Sequence, residues 1–276
     1  MDRATFEKQE DGTIKLTITI LKSDIKKARE QILSEYAKNA KVDGFRKGKV
    51  PQSLILDKVD NEKVNEEVLK ELLPQAYSKA VQANNLKPIV NPKIHIEKLD
   101  EDKDWEVTAI TCEMPDVDLG AYKDSVKKIT AKSKIIVPGK EQKKPENAEV
   151  MKALLENVKI TIPGVLIEQE ADKLLSQLLN DIKKLGLSLD QYLTSTNRTP
   201  ENLREEYGKR AEEDMKLEFA LQKIAETEKI VIGQKEIEEA IGKTKDDNER
   251  KSLENNRYLL AAILRQQKTL DFLLNL

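Results

Sequence analysis

Hydrophobic and polar residues near the start of the chain follow a period of two and then a helical period. In residues 13–21, apolar side chains take every second position, at Ile14, Leu16, Ile18 and Ile20. This alternation predicts a half-buried β-strand. Ser23 is a candidate N-cap, and apolar residues recur every three or four positions after it. The spacing predicts a helix that ends near Ala40.

Further elements with the same two periods follow before residue 115. The pattern predicts a short helix after Pro51, a longer helix over 61–84 that Pro74 kinks or splits, and strands over 93–99 and 104–114. The acidic residues between the two strands predict a hairpin turn. We therefore expect residues 1–115 to form an α+β domain, an antiparallel sheet with helices on one face.

Residues 116–145 differ from their neighbours in composition. Between Tyr122 and Pro145 the chain has eight lysines against two acidic residues, and Pro138-Gly139 interrupts the stretch. Its main apolar run is Ile135-Ile136-Val137. We expect a basic extended linker here, with room for one strand. Such a linker is more often simply solvated, but its lysines would add weak electrostatic affinity for RNA.

From residue 146 to the end, the pattern is almost wholly helical. It predicts helices over 146–158, from Pro163 to Gly186, from Thr199-Pro200 onward, over 234–241 and over 247–274, with extended steps at 160–162 and 230–232. The apolar positions assigned to these helices include Leu185, Leu260 and Ile263. We expect an elongated all-α C-terminal domain with helical arms over residues 146–276. Apolar surface left on such arms would hold an unfolded chain.

Composition narrows the class of protein. The chain has 276 residues, of which 36% are charged, and its formal net charge is −2. This near-neutral charge argues against coating of nucleic acid along the whole length, so any such contact should be local. The single cysteine, Cys112, excludes an intrachain disulfide, the N-terminus lacks the apolar core of a signal peptide, and no run of about 18 apolar residues occurs. We expect a cytoplasmic protein that does not enter a membrane.

We predict no catalytic, metal or cofactor site. Residues 237–244, IEEAIGKT, end like a phosphate-binding loop, but Ile237 stands where the first glycine belongs, and two glutamates would repel phosphate. We interpret this segment as the end of a helix capped by Gly242. The only histidine, His95, shares a strand face with charged residues. With one histidine and one cysteine, neither a zinc site of those ligands nor a catalytic triad is expected.

The most distinctive segment is GFRKGKVP, residues 44–51. It places Phe45 among glycines and cations, and the charged residues from Lys41 to Pro51 give a net charge of +3. Arginine and lysine pair with phosphate, and an exposed phenylalanine fills an apolar crevice or stacks on a base. We predict that this loop binds a phosphate-rich surface. The alternative is a well-formed turn with incidental charge.

At this loop the chain resembles the trigger factors, the bacterial ribosome-associated chaperones. Their ribosome-binding signature is a GFRxGxxP loop between two helices, matched here by Gly44, Phe45, Arg46, Gly48 and Pro51, while Lys47 and Lys49 agree with residues common there. The strand over 13–21, the Asn91-Pro92 step and EMPDVDLGAY at 113–122 fit the family too. Residues 155–178 are similar to the start of its helical domain. The resemblance covers nearly all of the chain.

The resemblance implies an ATP-independent chaperone that docks at the ribosome exit tunnel and holds nascent polypeptides. The residues it assigns to ribosome binding are Gly44, Phe45, Arg46, Lys47, Gly48, Lys49 and Pro51. The implied partners are exit-tunnel protein, rRNA and unfolded or nascent polypeptides, without any cofactor. A homodimer of the free protein is also expected, because the apolar cradle would otherwise be exposed.

One departure from the family is large. Trigger factors usually carry an FKBP-like prolyl isomerase domain between these two parts, and a domain needs at least ~50 residues. Here Lys123–Glu146, 24 residues, separate the matching regions. The resemblance therefore implies a form without the isomerase domain, and no enzyme. Three alternatives stay open: a prolyl isomerase, a ribosome- or RNA-binding factor without chaperone activity, and a periplasmic folding helper with similar arms.

Overall fold

The computed structural model describes residues 3–39, 60–100, 103–133, 147–244 and 246–276. The chain groups into two compact units. The first comprises the residues up to Met114 together with Pro163–Leu166, and the second comprises Pro115–Ile162 and Ile167–Leu276. Each unit has its own cluster of buried apolar side chains.

A four-stranded antiparallel sheet forms one layer of the first unit. Its strands are β1 (Arg3–Lys8), β2 (Thr13–Ile20), β3 (Lys93–Lys98) and β4 (Trp105–Cys112), in the order β1-β2-β4-β3. The four isoleucine and leucine side chains of β2 are buried, which confirms the alternation. Leu16 lies opposite Phe6 and Ala109, and Ala109 lies opposite Ile94, so these residues share one face of the sheet.

The alternation in the sequence does not predict the edge strand β1. Its segment RATFEK has only two apolar side chains, Ala4 and Phe6, among charged and polar residues. Charged side chains are usual on edge strands, where they discourage pairing with another chain. At the other edge, β3 shifts register between Ile96 and Lys98. Edge strands of this kind carry a weaker hydrophobic pattern than the central strands do.

Two helices cover the apolar face of the sheet. Helices α1 (Lys22–Asn39) and α2 (Asn61–Ala83) bury their apolar stripes against β2 and β4. Helix α1 already begins at Lys22, whose N–H donates to Asp104 Oδ1 at 2.7 Å, so Ser23 lies in the first turn and is not the N-cap. Pro74 lies inside α2 without dividing it. The predicted α+β architecture with helices on one face is confirmed.

A carboxylate in the turn between β1 and β2 accepts three hydrogen bonds. Asp11 accepts from the Thr13 N–H at 2.9 Å, the Thr13 hydroxyl at 2.8 Å and the Gly164 N–H at 2.7 Å. Burial alone would raise the pKa of Asp11, but these hydrogen bonds favour the charged form and lower it. The carboxylate thereby fixes Pro163–Leu166 within the first unit.

The described part of the second unit is helical, as predicted. Its helices are α3 (Tyr122–Ser133), α4 (Asn147–Leu155), α5 (Gly164–Lys184), α6 (Leu189–Thr196), α7 (Pro200–Thr227), α8 (Gln234–Lys243), α9 (Asp247–Asn255) and α10 (Arg257–Leu274). The first turn of α5 belongs to the first unit. Side chains of α3, α4, α7 and α10 form the core of the second unit, with Val126, Leu154, Ile224 and Leu273 fully buried.

The prediction of an extended linker is wrong for residues 122–133, which form α3. Tyr122, Val126 and Thr130 recur every four residues and are buried, so one face of α3 packs while lysines occupy the others. The Tyr122 hydroxyl donates to Glu228 Oε1 at 3.0 Å, and Lys123 Nζ lies 2.7 Å from the same oxygen. Residues 134–145 of the expected linker lie outside the described residues.

Three details of the second unit also differ from the helices that the sequence pattern predicts. Helix α6 was not predicted, although Ser188 and Gln191 form a capping box at its start. Gly242 lies inside α8, which Thr244 ends, so this glycine is not the cap. The single helix predicted over 247–274 is two helices, because the backbone at Asn256 (φ −116°, ψ 40°) departs from helical geometry.

Candidate functional site

All seven residues of the predicted ribosome-binding loop lie outside the described residues. They are Gly44, Phe45, Arg46, Lys47, Gly48, Lys49 and Pro51. The short helix predicted after Pro51 lies there too. The loop's role therefore stays a prediction. The structure does describe both helices that bracket it in the sequence, α1 and α2, and the contacts that join them.

An arginine joins the middle of α1 to the first turns of α2. Arg29 donates from Nη2 to Asn61 Oδ1 at 2.8 Å and from Nη1 to Asn65 Oδ1 at 3.2 Å. Asp60 caps the same helix by accepting a hydrogen bond from the Glu62 N–H. The point where the chain enters α2 is therefore fixed both by a cap and by a link to α1.

A tyrosine–glutamate hydrogen bond joins the two helices closer to the end of α1. The Tyr36 hydroxyl donates to Glu67 Oε1 at 2.6 Å. This bond to a carboxylate, with a smaller contribution from burial, raises the pKa of Tyr36. Ile32, Leu33 and Val64 belong to the core beneath it. Packing and polar contacts together therefore join the two helices that bracket the predicted loop in the sequence.

The second unit exposes apolar side chains at the turn between α5 and α6. Gly186 has a φ of +73°, and the Leu187 N–H donates to the Ile182 carbonyl at 3.2 Å, which confirms Gly186 as the helix end. Leu185, Leu187 and Leu189, which we call the turn patch, are exposed, Leu185 by 76%. The sequence pattern lists Leu185 among the apolar positions of α5, and the structure shows that this side chain lies in solvent.

A second group of exposed apolar residues lies on the first two turns of α10. Tyr258 is 91% exposed, Leu259 is 59% exposed and Ile263 is 50% exposed, and Ala262 between them is exposed too. We call these four residues the α10 stripe. The periodicity lists Ile263 among the apolar positions of this helix but does not predict which of those positions are exposed. The uninterrupted run YLLAAIL over 258–264 was the available signal, because a helix with apolar residues all round cannot bury every face in one core.

The described residues show no constellation for a metal. Within the described ranges, no group of three or more histidine, cysteine or acidic residues could hold a metal ion. The segment that ends like a phosphate-binding loop is helical from Gln234 to Lys243. Burial raises the pKa of the Cys112 thiol to about 11, with a smaller contribution from the charge of Asp11, so Cys112 is poorly suited to act as a nucleophile.

The combination of an α+β unit and a helical unit matches a known protein family. The model of the bacterial trigger factor protein matches residues 3–154, and that of the trigger factor C-terminus matches residues 126–275. The chain therefore belongs to the trigger factor family, as the resemblance of its loop predicted. Because the two matches overlap over residues 126–154, no stretch between them remains for an isomerase domain. Of the described helices, none is long and apolar enough to cross a membrane.

Curated relatives agree with this assignment over less than half of the chain. Trigger factor of Streptococcus gordonii is 35% identical over 120 residues, which cover 44% of this chain and 28% of that protein. Trigger factor of Ligilactobacillus salivarius is 38% identical over 118 residues, which cover 42% of this chain and 27% of that protein. The matched stretch thus spans less than a third of the length of these relatives.

A solved structure supports the fold over almost the whole chain. It is a structure of the trigger factor chaperone from work on promiscuous substrate recognition in its folding and assembly activities. It aligns with a TM-score of 0.66 at 14% identity and covers 99% of both chains. At this identity the structural similarity supports the fold alone. It agrees with an α+β unit followed by a helical unit.

Proposed function

We propose that this protein is an ATP-independent molecular chaperone that docks at the ribosome exit tunnel and holds nascent polypeptides. The observation that carries the holding role is the exposure of apolar side chains on the second unit, in the turn patch and the α10 stripe. Contiguous exposed apolar side chains on a protein surface normally mark a binding site. Membership of the trigger factor family supports the same role.

Docking is assigned to residues 1–115 and holding to residues 146–276. In the first region, Phe45, Arg46 and Lys47 make the proposed contact with exit-tunnel protein and rRNA. Lys49 adds a further cation, and Gly44, Gly48 and Pro51 shape the loop. The contacts of Arg29 and Tyr36, which join α1 to α2, support this assignment, because fixed flanking helices lower the entropic cost of ordering a binding segment between them. We place the protein in the cytoplasm, outside the membrane, and expect a homodimer when it is free of ribosomes.

Holding requires neither nucleotide nor covalent chemistry in this proposal. Burial of apolar client side chains against exposed leucine, isoleucine and tyrosine is weak per contact and reversible, so release needs no hydrolysis. The overlap of the two family matches supports the further proposal that the chain lacks prolyl isomerase activity. An isomerisation assay on a proline peptide should therefore give the uncatalysed rate. Catalysis above that rate would favour the isomerase alternative.

Ribosome co-sedimentation tests the docking role. The wild type should pellet with ribosomes, less so as salt rises, because cation–phosphate contacts release counterions. The triple variant Phe45→Ala/Arg46→Ala/Lys47→Ala should stay in the supernatant. Lys26→Ala/Lys27→Ala/Lys70→Ala is the control, since it removes three cations from the described surfaces of α1 and α2. If both variants pellet like the wild type, the loop does not dock the protein.

Suppression of aggregation tests the holding role. A chemically unfolded client, diluted into buffer without nucleotide, should aggregate less when the wild-type protein is present. Addition of ATP should change nothing. A protein that pellets with ribosomes yet leaves aggregation unaffected would be a ribosome-binding factor without chaperone activity, the alternative left open by the sequence.

A further inference from the structure

The α10 stripe continues directly into the core of its own unit. At 3.6 residues per turn, the exposed positions 258, 259, 262 and 263 lie on the same face of α10 as Thr269, Leu270 and Leu273 two turns later. Thr269 and Leu273 are fully buried, and Leu270 packs against the core with them. One face of a single helix is thus packed at its C-terminal end and exposed at its N-terminal end.

The opposite face of α10 is already occupied at the exposed end. Leu260 is buried, Arg265 Nε donates to the Ile230 carbonyl at 2.9 Å, and Lys268 Nζ donates to the Val231 carbonyl at 3.1 Å. Lys268 also pairs with Glu236 at 2.7 Å. These contacts hold α10 against the start of α8, so the stripe is the exposed side of a helix whose other side is fixed.

The exposed face is also uncharged. Its residues from 258 to 266 are Tyr258, Leu259, Ala262, Ile263 and Gln266, in a chain of which 36% is charged. The three cations of α10, Arg257, Arg265 and Lys268, lie on its other faces. A partner is therefore selected by the spacing of its apolar side chains, because this face offers no charge for it to pair with.

We propose that the α10 stripe receives an amphipathic helix of the client. The packed half of the same face is met by helices α3, α4 and α7, so the continuation of that surface has the ridges and grooves of a helix–helix contact. A helix with apolar residues three and four positions apart extends this packing, whereas an extended segment places its side chains at a different period. The inference rests on the proposed holding function and adds the class of client segment.

Two labelled peptides of one composition test the proposal by fluorescence anisotropy on the full chain. Each is about 18 residues of Leu, Gln, Lys and Glu, long enough for a helix of several turns. In one peptide the leucines follow helical spacing, and in the other they alternate with polar residues. We expect the helix-period peptide to bind about tenfold more tightly, from the burial of one or two further aliphatic side chains.

Substitutions separate the α10 stripe from other apolar surfaces. Leu259→Ser/Ile263→Ser should remove the preference for the helix-period peptide, and Tyr258→Ser, at a side chain almost wholly in solvent, should reduce it without any risk to packing. The matched control is Leu185→Ser/Leu187→Ser in the turn patch, which should keep the preference. An unchanged urea midpoint shows that each variant is folded.

Several outcomes overturn the proposal. They are equal binding of the two peptides, loss of preference in the turn-patch variant alone, or a wild-type dimer that becomes monomeric in the α10 variant while neither peptide binds. The last outcome makes the stripe a contact between copies of the chain. Suppression of aggregation by a wild type that binds both peptides equally would leave the holding function intact and remove only the helical preference. Helix-specific binding without suppression of aggregation would support the helical preference and remove the holding function.

Discussion

At the scale of single residues, the contacts that matter for the docking proposal are few and polar. Arg29 and Tyr36 each bridge α1 and α2. Both lie beside the buried aliphatic core and are not among its fully buried residues. Such bridges contribute modestly to stability, yet they fix how α1 and α2, the helices that bracket the predicted loop in the sequence, lie against each other. Their effect is therefore best measured by a change that removes one bond and nothing else.

Tyr36→Phe is such a change. It deletes the hydroxyl that donates to Glu67 at 2.6 Å and keeps the ring, so we expect a loss of about 1 kcal/mol in the free energy of unfolding. Urea unfolding measures it. The matched control is Tyr258→Phe, where the side chain is 91% exposed and the expected change is close to zero. Equal effects of the two substitutions would mean that the Glu67 bond does not stabilise the helix pair.

Cys112 gives a pH-dependent prediction at the same scale. Its thiol pKa rises from 9.0 to about 11 because burial penalises the thiolate. The folded state thus holds this proton more tightly than the unfolded state does. The resulting stability is fully present below pH 9 and is lost as pH rises from there to about 11.

Two measurements check the cysteine prediction. The free energy of unfolding of the wild type, relative to Cys112→Ala, should fall between pH 9 and pH 11. A disulfide reagent should also modify Cys112 much faster after denaturation than in the folded protein at pH 8. Rapid modification of the folded chain would show that the thiol is accessible and that its pKa is not raised by burial.

At the scale of elements, the start of α3 depends on a glycine. Gly120 has a φ of +52°, and a Cβ there would lie 2.7 Å from the Asn157 carbonyl oxygen just after α4. Gly120 and Asn157 thus come close together in the unit whose core contains side chains of both α3 and α4. Helix α3, which forms part of the expected linker, is therefore anchored at a position that tolerates no larger side chain.

Gly120→Ala should destabilise the protein by about 2 kcal/mol or more, from backbone strain and the clash together. Gly208→Ala is its counterpart within α7, where a Cβ would meet no atom within 4 Å. There the smaller loss of chain entropy on folding should stabilise the protein by about 0.5–1 kcal/mol. Thermal and urea unfolding of both variants give the comparison. Destabilisation of similar size by both would argue against the close approach at Asn157.

How far the sequence predicted each element depended on whether the periodic residues stood out from their surroundings. The strand of alternating isoleucines and leucine was predicted because its period is strict, and α7 because Thr199-Pro200 marks its start. Helix α3 was missed because its lysines dominate the composition, although Tyr122, Val126 and Thr130 have helical spacing. The break at Asn256 has no strong breaker residue, so only the packed structure reveals it.

The two parts of the candidate site, the loop and the α10 stripe, also differ in how far the sequence predicts them. The loop was recognised from a short motif that is legible without any structure, whereas the α10 stripe required knowledge of which face is buried. A run such as YLLAAIL implies that some of its apolar side chains are exposed. The helices that pack against the run decide which side chains these are. Tertiary packing therefore decided what periodicity left open.

At the scale of the whole molecule, the proposed functions belong to units with separate cores. Strands β2 and β4 with α1 and α2 form one cluster, and α3, α4, α7 and α10 form the other. A substitution on the surface of one unit should then leave the stability and binding of the other unchanged, since contributions of sites with no shared partners are usually additive. The two proposed roles should consequently be separable by mutation.

We expect a double dissociation. Phe45→Ala/Arg46→Ala/Lys47→Ala should abolish pelleting with ribosomes and keep both aggregation suppression and the preference for the helix-period peptide. Leu259→Ser/Ile263→Ser should weaken suppression and keep pelleting. The combined variant should show both losses at the size seen in each parent. If the loop variant also lost suppression in the absence of ribosomes, the loop would take part in holding the client, and a chaperone with separate docking and holding surfaces would be the wrong description of this chain.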